Sequence, residues 1–186
     1  MHTRLLIQYH IWRHSLNFTE KLDLACQSQQ SMLCVGLDPD PRLMPVKNTL
    51  EFNKSIIHAT HDLVCAYKPN LAFYEALGLP GLRALEGTID YIRSVNPHLI
   101  IIADAKRGDI GNTASAYARA LFDVWDVDAA TVNPYLGTDS LEPFLSRPDR
   151  VCVHIMSHIK YWLFRNANAK CQPQRVPTAS IQMGGH

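Results

Sequence analysis

Five short apolar runs recur along the chain at intervals of about one strand plus one helix, and this rhythm limits the architecture more than any other feature. The runs begin near residues 33, 64, 99, 128 and 151, so they are 31, 35, 29 and 23 residues apart. Between them lie segments with apolar residues three and four apart, such as Leu82, Leu85, Ile89 and Ile92 in GLPGLRALEGTIDYIRSV, the spacing of a helix buried along one side. Runs such as LIIIA are apolar without alternation, which suits parallel strands covered on both faces. Parallel strands that follow one another in sequence need a crossover long enough to hold a helix, so a βα repeat of this length builds a parallel sheet. Strands are predicted in MLCVGLD, VCAYKPN, LIIIADAK, DAATVNPY and VCVHI, the first four ending near Leu37, Lys68, Ala103 and Val132 and neighbouring in order. Helices are predicted in LNFTEKLDLACQSQQ (Thr19 as N-cap), EFNKSIIHATHDL, GLPGLRALEGTIDYIRSV, NTASAYARALFDVW and DSLEPFL. Two folds share this rhythm. A doubly wound open sheet is complete with five strands, whereas a (β/α)8 barrel needs eight and typically about 250 residues. Counting favours the open sheet; the charged strand ends point the other way.

Asp38, Lys68, Asp104 with Lys106, and Asn133 all stand at or just past the ends of successive strands. Ligands bind beyond the carboxyl ends of parallel strands in either fold, so polar side chains arriving from four strands indicate one converging site. In DAKRGD, residues 104 and 106 are two apart, and an extended backbone sends both side chains to one face, with Arg107 directed elsewhere. Gly108 permits a turn that either brings Asp109 back to the cluster or presents it to a second subunit. A helix starting near Asn112 adds free N–H groups that favour an anion nearby. Carboxylates on both sides keep Lys106 charged and make the place repulsive for a substrate carboxylate.

Composition removes several function classes. The formal net charge is +1, which offers no basic field for nucleic acid or an anionic membrane. No apolar run spans a bilayer, and MHTRLLIQYHIW lacks the long apolar stretch of a signal peptide. The five cysteines, at 26, 34, 65, 152 and 171, form no CxxC pair, as expected in a reducing cytoplasm. Cys34 and Cys65 lie in apolar strands and are expected to be buried thiols. GxGxxG is absent, GDIGNT lacks the lysine of a phosphate-binding loop, and His58 and His61 have no further ligand at metal-site spacing. Charge is uneven along the chain. Residues 1–150 hold 14 basic and all 17 acidic residues, and 151–186 hold 4 basic residues and no acid.

DAKRGDIGNTASAYA resembles the signature of the orotidine 5'-phosphate decarboxylase family, Asp-x-Lys-x-x-Asp-Ile-x-x-Thr at the end of the third barrel strand. LCVGLDPDP at 33–41, AYKPNLAFYEALG at 66–78 and TVNPYLGTDSLEPF at 131–144 stand in the same order, the last two resembling the longer bacterial subgroup. The resemblance covers roughly residues 17–153. It implies an α/β fold, a parallel (β/α) barrel of TIM type that is incomplete, with about five of its eight βα units within residues 1–160. It also implies conversion of orotidine 5'-phosphate to UMP and CO2 in pyrimidine synthesis, with no metal or organic cofactor. In this pattern Lys68, Asp104, Lys106 and Asp109 form an alternating charged network. Lys106 is the proton donor to C6, Asp104 lies against the substrate carboxylate, and Lys68 and Asp38 orient the ribose. Asp109, Ile110 and Thr113 reach across a two-fold interface into the site of a homodimer partner.

The pattern breaks within VCVHIMSHIK, soon after residue 153, and Ser157, Gln174 and Arg175 are not assigned to the pyrimidine-reading and phosphate-gripping roles. Residues 161–186 form an atypical tail, expected to be poorly ordered and to add no closing strand. A family sequence with a lost or shifted C-terminal third is the expected account, and these 186 residues alone are expected to be inactive. Two other readings share the residues. One is a metal-dependent phosphosugar aldolase or epimerase on the same barrel, and the other is an inert fragment that keeps only a subunit-association face.

Overall fold

The computed structural model describes residues 15–154, together with the backbone of 163–165. Helix α1 (Phe18–Gln29) leads into β1 (Cys34–Leu37), α2 (Thr49–Thr60), β2 (Ala66–Pro69), a short α3 (Leu71–Glu75) and α4 (Gly78–Val95). There follow β3 (Ile100–Arg107), α5 (Gly111–Arg119), a π-helical turn (Ala120–Val124) and β4 (Ala129–Val132). A 3-10 turn (Pro134–Leu136), α6 (Glu142–Leu145), β5 (Val151–His154) and β6 (Leu163–Arg165) end the described chain.

Strand order decides between the two competing folds. The sheet runs β1-β2-β3-β4-β5-β6, and β1 to β5 are parallel throughout. A doubly wound sheet grows outward from its middle in two directions, so its spatial order departs from its chain order. Sequential order means that every crossover turns the same way, which places the crossover helices on one face, as in a barrel wall. The buried residues confirm this division. One cluster joins the strand residues Leu37, Tyr67, Ile101, Ala103 and Ala130 to Ile57, Leu85, Ile92, Ala118 and Phe144 of the crossover helices. A second cluster gathers the alternate strand residues Ala66, Ile100, Ala129 and Val151 beneath Phe18 and Ala25 of α1. The convex face thus carries α2 to α6, and α1 closes the floor of the concave face.

Local chemistry sets the element ends. Asn17, rather than Thr19, caps α1. Its side chain accepts the Glu20 N–H at 3.1 Å, and the Glu20 carboxylate accepts the Asn17 N–H at 2.8 Å. Thr19 has Leu22 three residues on and cannot close such a reciprocal box. Helix α3, absent from the sequence reading, is a single turn started by Asn70, which accepts the Ala72 N–H. β3 continues past Ala103 to Arg107, so Asp104 and Lys106 belong to the strand itself. β6 was not foreseen: three residues of the tail pair antiparallel with β5. The remainder of 161–186 lies outside the described residues, and among those described β1 has β2 as its one strand neighbour. Cys34 is accordingly exposed, against expectation, while Cys65, further inside the sheet, is buried. No helix among the described residues is long and apolar enough to cross a membrane.

Buried ion pairs fasten the floor. The Asp128 carboxylate, fully buried, accepts the Ile101 N–H at 2.9 Å and Arg93 at 2.8 Å, tying β3 to β4. Arg150 donates to the Val127 carbonyl and to Asp126, and Lys21 of α1 reaches the Asp149 carbonyl at 2.9 Å. Burying such charges is tolerable only because each is paired and hydrogen-bonded.

The junction of α3 with α4 is equally tight. A Cβ on Gly81 would sit 1.9 Å from the Tyr74 carbonyl oxygen and 2.7 Å from the Leu77 Cβ. Helix propensity alone favours alanine over glycine by about 0.5–1 kcal/mol, but this clash is with backbone and cannot be relieved by a rotamer. Gly81→Ala is therefore expected to lower stability by about 1–3 kcal/mol. A chemical-denaturation midpoint equal to or above that of the parent chain would contradict it.

Candidate active site

The period of two along each strand selects the side chains that enter the concave face. Below, Ala66, Ile100 and Ala129 pack under α1. Two and four residues further along the same strands, Lys68, Asp104 and Thr131 emerge above that apolar floor. They meet at one carboxylate. Asp104 Oδ2 accepts from Lys68 Nζ at 3.0 Å, and Oδ1 accepts from Lys106 Nζ at 2.6 Å and from Thr131 Oγ1 at 2.9 Å.

Asp104 is only 6% exposed. Burial pushes its carboxyl up, but hydrogen bonds from Lys106, Lys68 and Thr131, with the Lys68 charge, outweigh burial and hold it below the ordinary range. The Lys106 side chain, 53% exposed, stands at the mouth of the site, and Lys68 is more enclosed. Two ammonium groups therefore flank one carboxylate, and Lys106 keeps donor capacity facing the open side. Such an arrangement opposes a second carboxylate brought against Asp104 and offers positive charge to an anion forming beside Lys106.

The backbone here departs from the extended form assumed from sequence. Lys106 has φ +49°, a left-handed conformation uncommon outside glycine. The β3–β4 register slips at this point, from Ala103↔Ala130 to Arg107↔Val132. Asp104 and Lys106 share a face all the same, through a bulged strand. Gly108 serves close packing: a Cβ there would approach the Asn133 carbonyl oxygen to 2.6 Å. Arg107 is turned away as expected, paired with Glu75 and lying 5.0 Å from the Tyr117 ring centre.

The other expected residues are placed as follows. Asp38 is exposed, one residue beyond β1 and two beyond Gly36, the register partner of Lys68. The carbonyl of Leu37, just before it, accepts from Tyr74 Oη at 3.2 Å, and Asn53 donates to Tyr74 Oη and Thr88 Oγ1 beneath. Asp109 is half-buried, accepts the Ile110 N–H at 2.8 Å, and makes no ion pair with Lys68 or Lys106. Ile110 is 58% exposed, and Thr113 is exposed in the first turn of α5. Asn133 is a structural cap whose side chain accepts the Tyr135 N–H at 3.0 Å. Ser157, Gln174 and Arg175 lie outside the described residues. Sequence reasoning missed Thr131, whose one signal was a hydroxyl inside the otherwise apolar run AATV.

The model of the orotidine 5'-phosphate decarboxylase / HUMPS family matches residues 31–158. The chain belongs to this family. Among curated relatives, the orotidine 5'-phosphate decarboxylase of Dehalococcoides mccartyi strain BAV1 is 58% identical over 136 residues, covering 73% of this chain and 49% of the relative. That of Herpetosiphon aurantiacus is 52% identical over 141 residues, covering 73% and 52%. The solved structure of Leishmania donovani OMP decarboxylase aligns with a TM-score of 0.66 at 37% identity, over 75% of this chain and 53% of that one. The chain thus spans about half the length of the curated relatives it matches, and its five parallel strands are a partial barrel of the family's TIM type.

The depressed Asp104 carboxyl has a measurable consequence. Its ionised form contributes stability that is present above the ordinary carboxylate value of 3.8 and lost as pH falls below it, through the lower folded-state value. Asp104→Asn is expected to reduce stability at neutral pH, because two ammonium groups lose their counter-charge, and to flatten the stability profile below pH 3.8. Denaturation midpoints measured from neutral to acid pH test this. Parallel profiles for both proteins would refute it.

Proposed function

We propose that this chain carries the charge-bearing part of an orotidine 5'-phosphate decarboxylase site and that the complete protein converts orotidine 5'-phosphate to UMP and CO2. The observation that carries the proposal is the buried carboxylate of Asp104 held between Lys68 and Lys106. A substrate carboxylate brought against Asp104 is repelled there, while the negative charge that develops at C6 on loss of CO2 is met by Lys106. The electron pair of the breaking C–C bond remains on C6, and Lys106 Nζ delivers the proton that converts it to C–H; water then restores the ammonium. Catalysis of this kind rests on charges fixed in advance and on groups stronger toward the transition state than toward the substrate.

Lys68 and Asp38 are assigned to the ribose, since Asp38 follows the strand paired with Lys68 at the mouth of the concave face. Asp109, Ile110 and Thr113 are assigned to a second copy of the chain. Their support is that Asp109 stays apart from the local lysines and that Ile110 and Thr113 stand exposed beside it. The reaction is placed in the reducing cytoplasm, in keeping with cysteine spacing that contains no CxxC pair.

A chimera joining residues 1–154 to the remaining half of the Dehalococcoides mccartyi relative provides the test. Lys106→Ala in that chimera should lower turnover by several orders of magnitude, because proton donor and counter-charge leave together. The loss of the orotate chromophore reports the rate. A modest reduction, or activity abolished by EDTA and restored by Mg²⁺, would point instead to metal-dependent phosphosugar chemistry. For the shared site, mixing inactive Lys106→Ala and Asp109→Ala chimeras should restore part of the activity, since a mixed dimer contains one site with both native residues. Mixtures as inactive as their components would sink the two-chain assignment.

A further inference from the structure

We infer that Thr131 is a positioning residue: its hydroxyl holds Lys106 in a left-handed backbone turn and so aims the Lys106 ammonium along Asp104. The inference deepens the proposed decarboxylase site and rests on that reading for its functional meaning, but its structural basis is independent of it. Between the partner pairs Ala103↔Ala130 and Arg107↔Val132, β3 carries three residues where β4 carries only Thr131. A regular ladder cannot supply backbone partners across such a mismatch. The Thr131 side chain fills the gap, because its Oγ1 accepts the Lys106 N–H at 2.9 Å. The same oxygen has one proton of its own and directs it to Asp104 Oδ1, also at 2.9 Å. Beyond the bulge, the Asn133 N–H donates to the Arg107 carbonyl at 2.7 Å and closes the loop.

One fully buried hydroxyl therefore fixes both members of the Lys106–Asp104 pair. An ionised carboxylate can only accept, so the hydroxyl proton goes to Asp104, and this bond favours the ionised form. The left-handed conformation of Lys106 is otherwise unfavourable for a residue with a side chain. Without the hydroxyl the Lys106 N–H loses its acceptor, and the turn can relax toward extended backbone, which swings Nζ away from Asp104. Thr131 touches no reacting atom in this account and acts through Lys106 and Asp104.

Threonine and valine have nearly the same shape, so Thr131→Val removes the hydroxyl with little change in volume, and Thr131→Ser keeps the hydroxyl. Amide hydrogen exchange in the full 186-residue chain, read by NMR, compares Lys106 with Ile101 of the same strand, whose N–H is held by Asp128. Relative to Ile101, the Lys106 amide should exchange about tenfold faster or more in Thr131→Val, the effect of losing one buried hydrogen bond, and return to the parent rate in Thr131→Ser. The Asp104 carboxyl, which faces Lys68 and Lys106, should titrate higher in Thr131→Val and recover in Thr131→Ser. An unchanged Lys106 rate in Thr131→Val, or a serine variant as fast as the valine one, overturns the inference. If Ile101 protection also collapses in Thr131→Val, Thr131→Cys is measured in its place; collapse there too, with Thr131→Ser intact, makes the hydroxyl a general fold determinant and overturns the local role. UMP binding by the chimera of residues 1–154 with the remaining half of the Dehalococcoides mccartyi relative tests the functional reading separately. Absent binding with the exchange pattern intact rejects the decarboxylase site and leaves the positioning role standing.

Discussion

The buried carboxylate of Asp104 is the interaction on which the arrangement depends. A carboxylate at 6% exposure is tolerated only with partners, and its partners come from three strands: Lys68 from β2, Lys106 from β3 and Thr131 from β4. Their meeting requires the three strand ends to stay level to within a hydrogen-bond length. That demand is met from below. The Arg93–Asp128 pair and the Asp128 acceptor for the Ile101 N–H fix β3 against β4, while Arg150 and Lys21 tie β5 and α1 into the same floor. Ionic chemistry at the base is buried and paired; ionic chemistry at the top keeps an exposed ammonium.

The two faces of the strands divide the labour. Outward residues build the larger apolar cluster with the crossover helices, which supplies the cohesion of the wall. Inward residues are small or apolar at the base, where α1 covers them, and polar at the rim. A rigid base permits strain above it. Lys106 is held at φ +49° inside a bulge that costs β3 its regular ladder, and the bulge is what brings a second charged side chain to Asp104 within two residues. Backbone strain of this kind persists where surrounding contacts over-determine it.

Local sequence was enough to read the βα rhythm, the parallel strands and the place of Lys68, Asp104 and Lys106 at strand ends, because each rests on periodicity or spacing within its own segment. The resemblance carried by DAKRGDIGNT and its companion motifs then selected the barrel over an open sheet that strand counting had favoured. Relations between segments came only with the folded chain. Sequential strand order is a relation among five runs that no single run encodes. Exposure of Cys34 follows from β1 having one strand neighbour among the described residues, whereas its own apolar surroundings signalled burial. Thr131 stayed unseen because a hydroxyl in an apolar strand gains its meaning from a register slip in the strand beside it. Local sequence sets which residues face the same way; packing of non-local neighbours sets which of them meet.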